Sequence, residues 1–323
     1  MKALICGVSG QDGSFLAKLL LEKGYEVIGS SRDAQTVNLH NHRHLGIEGQ
    51  IQLESMATHD FRSVLQVLKR TEPDEVYNFS GQSSVGLSFD QPVETLDSII
   101  SGTLNLLEGI RFLNRSVKFY NAGSGECFGD TGATGANEET PFRPRSPYAV
   151  AKATTHMLVA NYREAYGLHA STGVLFNHES HIRPTRFVTR KIVRTACRIA
   201  LGSREQLTLG NTSIRRDWGW APEYVEAMWR IVQCPVSDDF VIATGQSHSL
   251  EEFVAEVFSR LNLDWRDHTV VSTSLFRPTD ILEGKGNPGK AQCVLGWSAQ
   301  FKMHDVIRSM VQSDLSDLRG GGR

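Results

Sequence analysis

Long apolar runs are missing from this chain: none of its 323 residues fall in a stretch approaching the ~20 consecutive apolar residues that cross a bilayer, so no membrane association is expected. Cysteine is sparse and poorly spaced. Cys6, Cys127, Cys197, Cys234 and Cys293 are odd in number, scattered, and without a C-x-x-C pair, which argues against a disulfide framework or a zinc site. Reduced thiols and no metal are expected. A charge excess is lacking too. Lys and Arg number 34 against 36 Asp and Glu, a formal net charge of -2, so nucleic acid is not expected as the main partner. Repeats and low-complexity tracts are absent. The opening "MKALICGVSG" reads as a strand and a glycine turn, not as a cleavable signal, and the expectation is a cytoplasmic protein.

What the chain does contain is an alternation of periods. The apolar run "KALICGV" (2–8) is followed by helical spacing in "SFLAKLLLEKG" (14–24) and a second strand, "YEVIGSS" (25–31). The rhythm continues through helix "SVLQVLKRTEP", strand "DEVYNFSG", helix "SIISGTLNLLEGIRFLN", strand "VKFYNAGS", helix "YAVAKATTHMLVANYREAYG" and strand "HASTGVLFN". Strands alternating with helices predict right-handed crossovers and a doubly wound α/β parallel sheet. After Asn177 the rhythm breaks into an Arg-, His- and Pro-rich segment. It returns once in "APEYVEAMWRIVQC" and "DDFVIATG", and the tail carries helices at 250–262 and near 303–318. The expected division is a dinucleotide-binding domain at 1–180 and 215–245, with a smaller, discontinuous substrate lobe at 181–214 and 246–323. The terminal "RGGGR" reads as a frayed end.

Three glycines, Gly7, Gly10 and Gly13, stand between the first strand and the first helix. Small residues there let the backbone approach a pyrophosphate, which then meets the free N–H groups of the helix start. The second strand ends in "SSRD". Arg32 would pair with the 2′-phosphate of NADP, whereas Asp33 would suit the 2′-hydroxyl of NAD; the order favours NADP, with NAD possible. Tyr148 and Lys152 in "SPYAVAK" are four apart and share a helix face. Beside a nicotinamide, Lys152 could lower the phenol's pKa and hold the ribose while Tyr148 passes a proton. A bland surface pair has the same spacing. "NAGSGECFG" (121–129) decides between them, because it places Ser124 and Glu126 at the carboxyl edge of the sheet.

These residues resemble the extended short-chain dehydrogenase/reductases, a Rossmann-fold superfamily. "PRSPYAVAK", "NYREAYGLHAS", "LFNHES", "FVTRK", "LGN", "RDWG", "YVEAMW" and "DFVIATG" are similar to the GDP-mannose 4,6-dehydratases within it. The resemblance implies a lyase in which Tyr148 takes the proton from a sugar 4-hydroxyl and Ser124 hydrogen-bonds the same oxygen. Glu126 would remove the C5 proton as water leaves C6. It also implies that Gln11, Asp12 and Arg183 join Gly7, Gly10, Gly13, Arg32, Tyr148 and Lys152 around the cofactor. Ser83, Asn177, Glu179, Lys191, Arg216, Arg277 and Asp280 would hold a GDP-sugar, with Arg216 and Arg277 on its diphosphate. A homodimer or homotetramer is implied as well. Gly125 departs from the family's polar residue, leaving room for a GDP-heptose or another GDP-hexose. A GDP-sugar 4-reductase or epimerase would keep Tyr148 and Lys152 but have no use for Glu126. Lys191 and Arg190 otherwise read as a solvated helical face, and His178 as a satisfied structural histidine.

Overall fold

The computed structural model describes residues 1–320, so the end of the "RGGGR" tail lies outside the described residues. Six strands follow in chain order: β1 (Lys2–Cys6), β2 (Glu26–Ser31), β3 (Gln52–Ser55), β4 (Glu75–Asn78), β5 (Lys118–Ser124) and β6 (Ala170–Leu175). With the strand Phe240–Ile242 they make a seven-stranded sheet in the order β3-β2-β1-β4-β5-β6-(240–242). Every pairing in it is parallel. The order reverses between β1 and β4, and at such a switch point a crevice opens beyond the carboxyl ends of the strands.

Alternate side chains of β1 fill opposite faces. Ala3 and Ile5 pack with the helices Gln11–Glu22 and Ala221–Gln233. Leu4 and Cys6 pack with Phe61–Thr71, Gly102–Leu113 and Pro147–Tyr166. Helix Phe61–Thr71 shows how the sequence does this locally: Asp60 caps it by accepting from the Arg62 N–H at 2.9 Å, and Val64, Val67, Leu68 and Thr71 form its buried stripe. A separate core is built by helices Val188–Ala200, Leu250–Ser259 and Met303–Gly320 around Leu207, Leu209 and Trp218. Ala291, Trp297 and Ala299, though late in the chain, pack with the first core.

Helix Val188–Ala200 lies where an irregular basic segment was expected. Ile192, Val193, Ala196, Cys197 and Ile199 are buried along one face, a period obscured by the intervening Arg and Lys. Arg190 is not on a solvated face. It is 5% exposed and ion-paired to the fully buried Asp314, with Arg194 at 3.5 Å from the same carboxylate. The edge strand β3, with Leu53 as its only apolar residue, was not foreseen either. All five cysteines are free, and no described helix is long and apolar enough to cross a membrane.

Candidate active site

The glycine turn has the shape a diphosphate needs. Gly7 adopts φ +84°, a left-handed conformation that side chains resist. A Cβ on Gly13 would stand 2.4 Å from the Gly7 carbonyl, so only glycine lets the helix start this close to the turn. Gly10 is the N-cap of Gln11–Glu22 and brings no side-chain cap, which leaves the first N–H groups of the helix to an external anion. From outside, the short helix His40–His44 supports the turn: Asn41 donates to the Ser9 carbonyl at 2.9 Å and His42 contacts the Val8 carbonyl at 3.0 Å. These features fit a dinucleotide. At the end of β2, the Asp33 carboxylate accepts from the Gln35 N–H at 2.8 Å, while Arg32 stays exposed.

The side chains of Gln11 and Asp12 face inward, so it is their main-chain N–H groups, at the start of the helix, that remain for a cofactor. The Gln11 amide donates to the Asp12 carboxylate at 3.0 Å and to the His178 carbonyl at 3.2 Å, and it accepts from the Ser180 hydroxyl at 2.8 Å. His178 is indeed structural. Its Nδ1 faces the Phe176 carbonyl at 2.8 Å and its Nε2 faces both Asp12 oxygens at 3.0 Å. Two acceptors around one ring call for an imidazolium. Burial opposes that charge, but Asp12 outweighs it and raises the histidine's pKa. Burial likewise disfavours the Asp12 anion, yet His178, Arg183 and Gln11 bring the carboxyl down to about 2. The ring stacks on Tyr224 with centroids 4.7 Å apart. The pair therefore ties the glycine turn to the strand Asn177–Glu179.

Ser124 ends β5 and caps the single 3-10 turn Gly125–Phe128 by accepting from the Glu126 N–H at 3.3 Å. This turn lifts Glu126 to the rim of the cleft. Opposite it, Pro147 at the first helical position and the Ser146 cap on the Ala149 N–H at 3.1 Å start the helix Pro147–Tyr166. Tyr148 lies in its first turn and Lys152 one turn on. Burial pushes the Tyr148 phenol up, and the neighbouring Ser124 hydroxyl and the charge of Arg183 act in the opposite sense. Lys152 lies over the phenol ring one helical turn away. Its Nζ is 5.9 Å from the Tyr148 ring centroid and donates to the Ala122 carbonyl at 2.8 Å. Burial brings its own pKa down to about 8. A lysine that must stay charged should therefore give activity an alkaline limb starting near pH 8. Lys152→Arg, which keeps its charge, should move that limb upward in a kcat-against-pH profile; an unmoved limb would remove the ammonium as its cause.

Gly125 is not an empty position. A Cβ there would come within 3.0 Å of the Phe176 ring, which stacks near Phe128 at 6.1 Å. The space a side chain at 125 would enter is bounded here by that aromatic ring.

The residues expected at the nucleotide-sugar end fall into two groups. Arg216, Arg277, Asp280 and Glu126 form a charged cluster: Arg216 Nε lies 3.6 Å from Glu126, its Nη2 3.8 Å from Asp280, and Arg277 Nη1 3.6 Å from Asp280. The others are spread around it. Glu179 is buried and lies 3.4 Å from Arg183, whose guanidinium stacks over Phe187 at 3.7 Å. Lys191 is committed to the Thr208 carbonyl at 2.6 Å. Ser83 is exposed and reaches Arg186 at 3.4 Å, and Asn177 is half-buried. Sequence reasoning missed Asp217, the residue after Arg216 in "RDWG". It is fully buried and accepts from the main-chain N–H groups of Thr244 and Gly245 at 2.9 Å each and of Gly286 at 3.5 Å. Burial raises its pKa to about 6 against those donors. It fixes the loops behind the cluster.

With this geometry in place, comparison with known proteins is informative. The family model described as GDP-mannose 4,6 dehydratase matches residues 4–310. GDP-mannose 4,6 dehydratase 1 of Arabidopsis thaliana is 44% identical over 323 residues, covering 97% of this chain and 89% of its own. Among solved structures, the dTDP-glucose 4,6-dehydratase of Bacillus anthracis in complex with NAD superposes with a TM-score of 0.84 at 20% identity, over 97% of this chain and 96% of that one. The Pseudomonas aeruginosa protein RMD complexed with NADPH gives 0.80 at 20%, over 98% and 99%. Likeness at that level of identity establishes the fold alone, but the family model and the Arabidopsis relative span nearly the whole chain, and this chain belongs to the GDP-mannose 4,6 dehydratase family.

Proposed function

We propose that this chain converts GDP-mannose to GDP-4-keto-6-deoxymannose, using a nicotinamide dinucleotide that is returned to its starting state in every turnover. What supports the reading is that Ser124 and Glu126 follow one another at the carboxyl end of β5, while Lys152, one turn on from Tyr148, donates to the Ala122 carbonyl of the same strand. A reductase or epimerase needs Ser124 and Tyr148; a carboxylate beside them is what an elimination requires. Bound across the glycine turn, the cofactor supplies a two-electron acceptor for C4 and later the donor to C6. Tyr148 takes the 4-hydroxyl proton, with Ser124 holding that oxygen, and Lys152 orients the ribose side of the cleft. Once C4 is a ketone its neighbouring C5–H is acidic. Glu126 accepts that proton and passes it to the departing C6 hydroxyl, which leaves as water, and the proton held by Tyr148 goes to C5 as hydride is returned to C6.

NADP is favoured over NAD because Asp33 is folded back onto its own turn, leaving Arg32 to meet a 2′-phosphate. We assign Arg216 and Arg277 to the sugar-nucleotide diphosphate, two guanidiniums that share the Asp280 carboxylate. We assign the nucleotide domain to 1–180 and 215–245 and the substrate lobe to 181–214 and 246–323, with 289–299 returning to the first core. A homodimer or homotetramer is supported by Val150 and Met157, two turns apart on helix Pro147–Tyr166, and by Val93 in the helix Pro92–Leu96 that packs against it, all exposed. Light scattering that gives a monomer mass would remove that assignment. Incubation with GDP-mannose and substoichiometric NADP should yield 4-keto sugar with no net reduced cofactor. Stoichiometric consumption of NADPH would instead indicate a reductase.

A further inference from the structure

We infer that Asp130 and Thr131 are positioning residues for Arg277, acting through the stretch 279–287, and so for the diphosphate of the substrate; the inference rests on the GDP-sugar reading of the site. Little else holds Arg277 in place. No helix or strand covers residues 276–282, and from Leu275 to Leu282 only Ile281 is buried. Apolar packing therefore fixes this part of the chain at one point, and the rest depends on hydrogen bonds. Arg277 Nη1 lies 3.6 Å from Asp280, and Arg216 Nη2 lies 3.8 Å from the same carboxylate. Where Asp280 sits decides where both guanidiniums point.

The partner of this stretch is the loop that follows the base. Asp130, shortly after Glu126, accepts from the main-chain N–H groups of Leu282 at 2.5 Å and of Glu283 at 3.1 Å. The Thr131 N–H donates to the Glu283 carbonyl at 3.0 Å, and the Thr131 hydroxyl accepts from the Lys285 N–H at 2.8 Å. Ala136 continues the ladder, donating to the Lys285 carbonyl at 2.9 Å and accepting from the Asn287 N–H at 2.8 Å. At the other end the Thr279 hydroxyl donates to the Arg145 carbonyl, next to the Ser146 cap. Both ends of 279–287 are thus tied to the loop that joins Glu126 to Tyr148. Its middle, Glu283–Gly284, pairs with Arg215–Arg216.

Asp130 carries the most weight in this ladder. Its ionised carboxylate makes charge-assisted bonds to two consecutive N–H groups, directly after the residues that present the cation. It is also exposed. Its removal opens no cavity and strands no buried charge, so a variant should fold and lose the two bonds alone.

GDP itself reads the diphosphate site without turnover, by calorimetric titration of the dinucleotide-loaded protein. Asp130→Ala should weaken GDP binding about 10-fold and raise KM for GDP-mannose in proportion, with kcat within about threefold of wild type. Asp130→Asn keeps an acceptor oxygen and should restore most of the affinity; Thr131→Val should weaken binding and Thr131→Ser should not. A double-mutant cycle shows whether Arg277 is the residue acted upon. Arg277→Gln should weaken GDP binding about 10–100-fold, and on that background Asp130→Ala should add less than about twofold, since residues that act through one another are not additive. Unchanged GDP affinity in Asp130→Ala or in Arg277→Gln, or full additivity of the two, would overturn the inference. A wild-type chain that bound GDP but left GDP-mannose unaltered would end the dehydratase reading, while the GDP titrations would still decide this one.

Discussion

Glu126→Gln should reduce formation of the 4-keto-6-deoxy sugar by about 100- to 10,000-fold, the range over which a positioned general base contributes. Glutamine keeps the length and most of the polarity of the side chain, so GDP-mannose should still bind, and calorimetry with the variant should show an affinity near that of the parent. What is lost is the ability to accept the C5 proton. Because C4 oxidation relies on Tyr148 and Ser124, the variant should still make the ketone and then stall. Turnover unchanged from wild type would take Glu126 out of the chemistry and return the chain to the reductases and epimerases that share its tyrosine and lysine.

The second large effect falls far from the cleft. Asp314 is fully buried and neutralises Arg190, with Arg194 at its other oxygen. Burial already brings Arg190 down to about 10, a sign of how little solvent reaches it. Asp314→Ala would leave a buried guanidinium without its partner, and breaking such a pair from one side costs about 3–5 kcal/mol. Urea denaturation should show that loss as a lower midpoint. Replacing both partners together, Arg190→Met with Asp314→Leu, should recover most of it, because the penalty arises from the unpaired charge. A loss below about 1 kcal/mol in the single variant would mean that water or Asp317 compensates Arg190.

The parallel sheet was legible because its inner strands are buried on both faces and read as compact apolar runs, and because glycine marks several of the helix ends. Gly167 closes the helix Pro147–Tyr166 in the left-handed conformation, φ +67°, as its position after "YREAY" predicts. β3 was not legible: at the sheet edge it needs only one apolar residue. The buried face of helix Val188–Ala200 was misread as solvated because its cations include Arg190, which is buried for a reason that lies 124 residues away in the chain. Such a partner has no local signature.

The site divided in the same manner. Ser124, Glu126, Tyr148 and Lys152 sit in two short words at the ends of a strand and a helix, and the fold brings those words together. The roles of Gln11 and Asp12 could not be read locally, since their partners are His178 and Ser180. Likewise the Phe176 ring lies against Gly125, a contact between positions 51 residues apart that no local pattern shows.

The tie between residues 11–12 and 178–180 also constrains how this chain can be recombined with its relatives. Any gene crossover falling between those two short stretches would draw a carboxylate from one parent and an imidazole from the other. Chimaeras should therefore inherit both stretches from a single parent, whichever source supplies the intervening helices and strands.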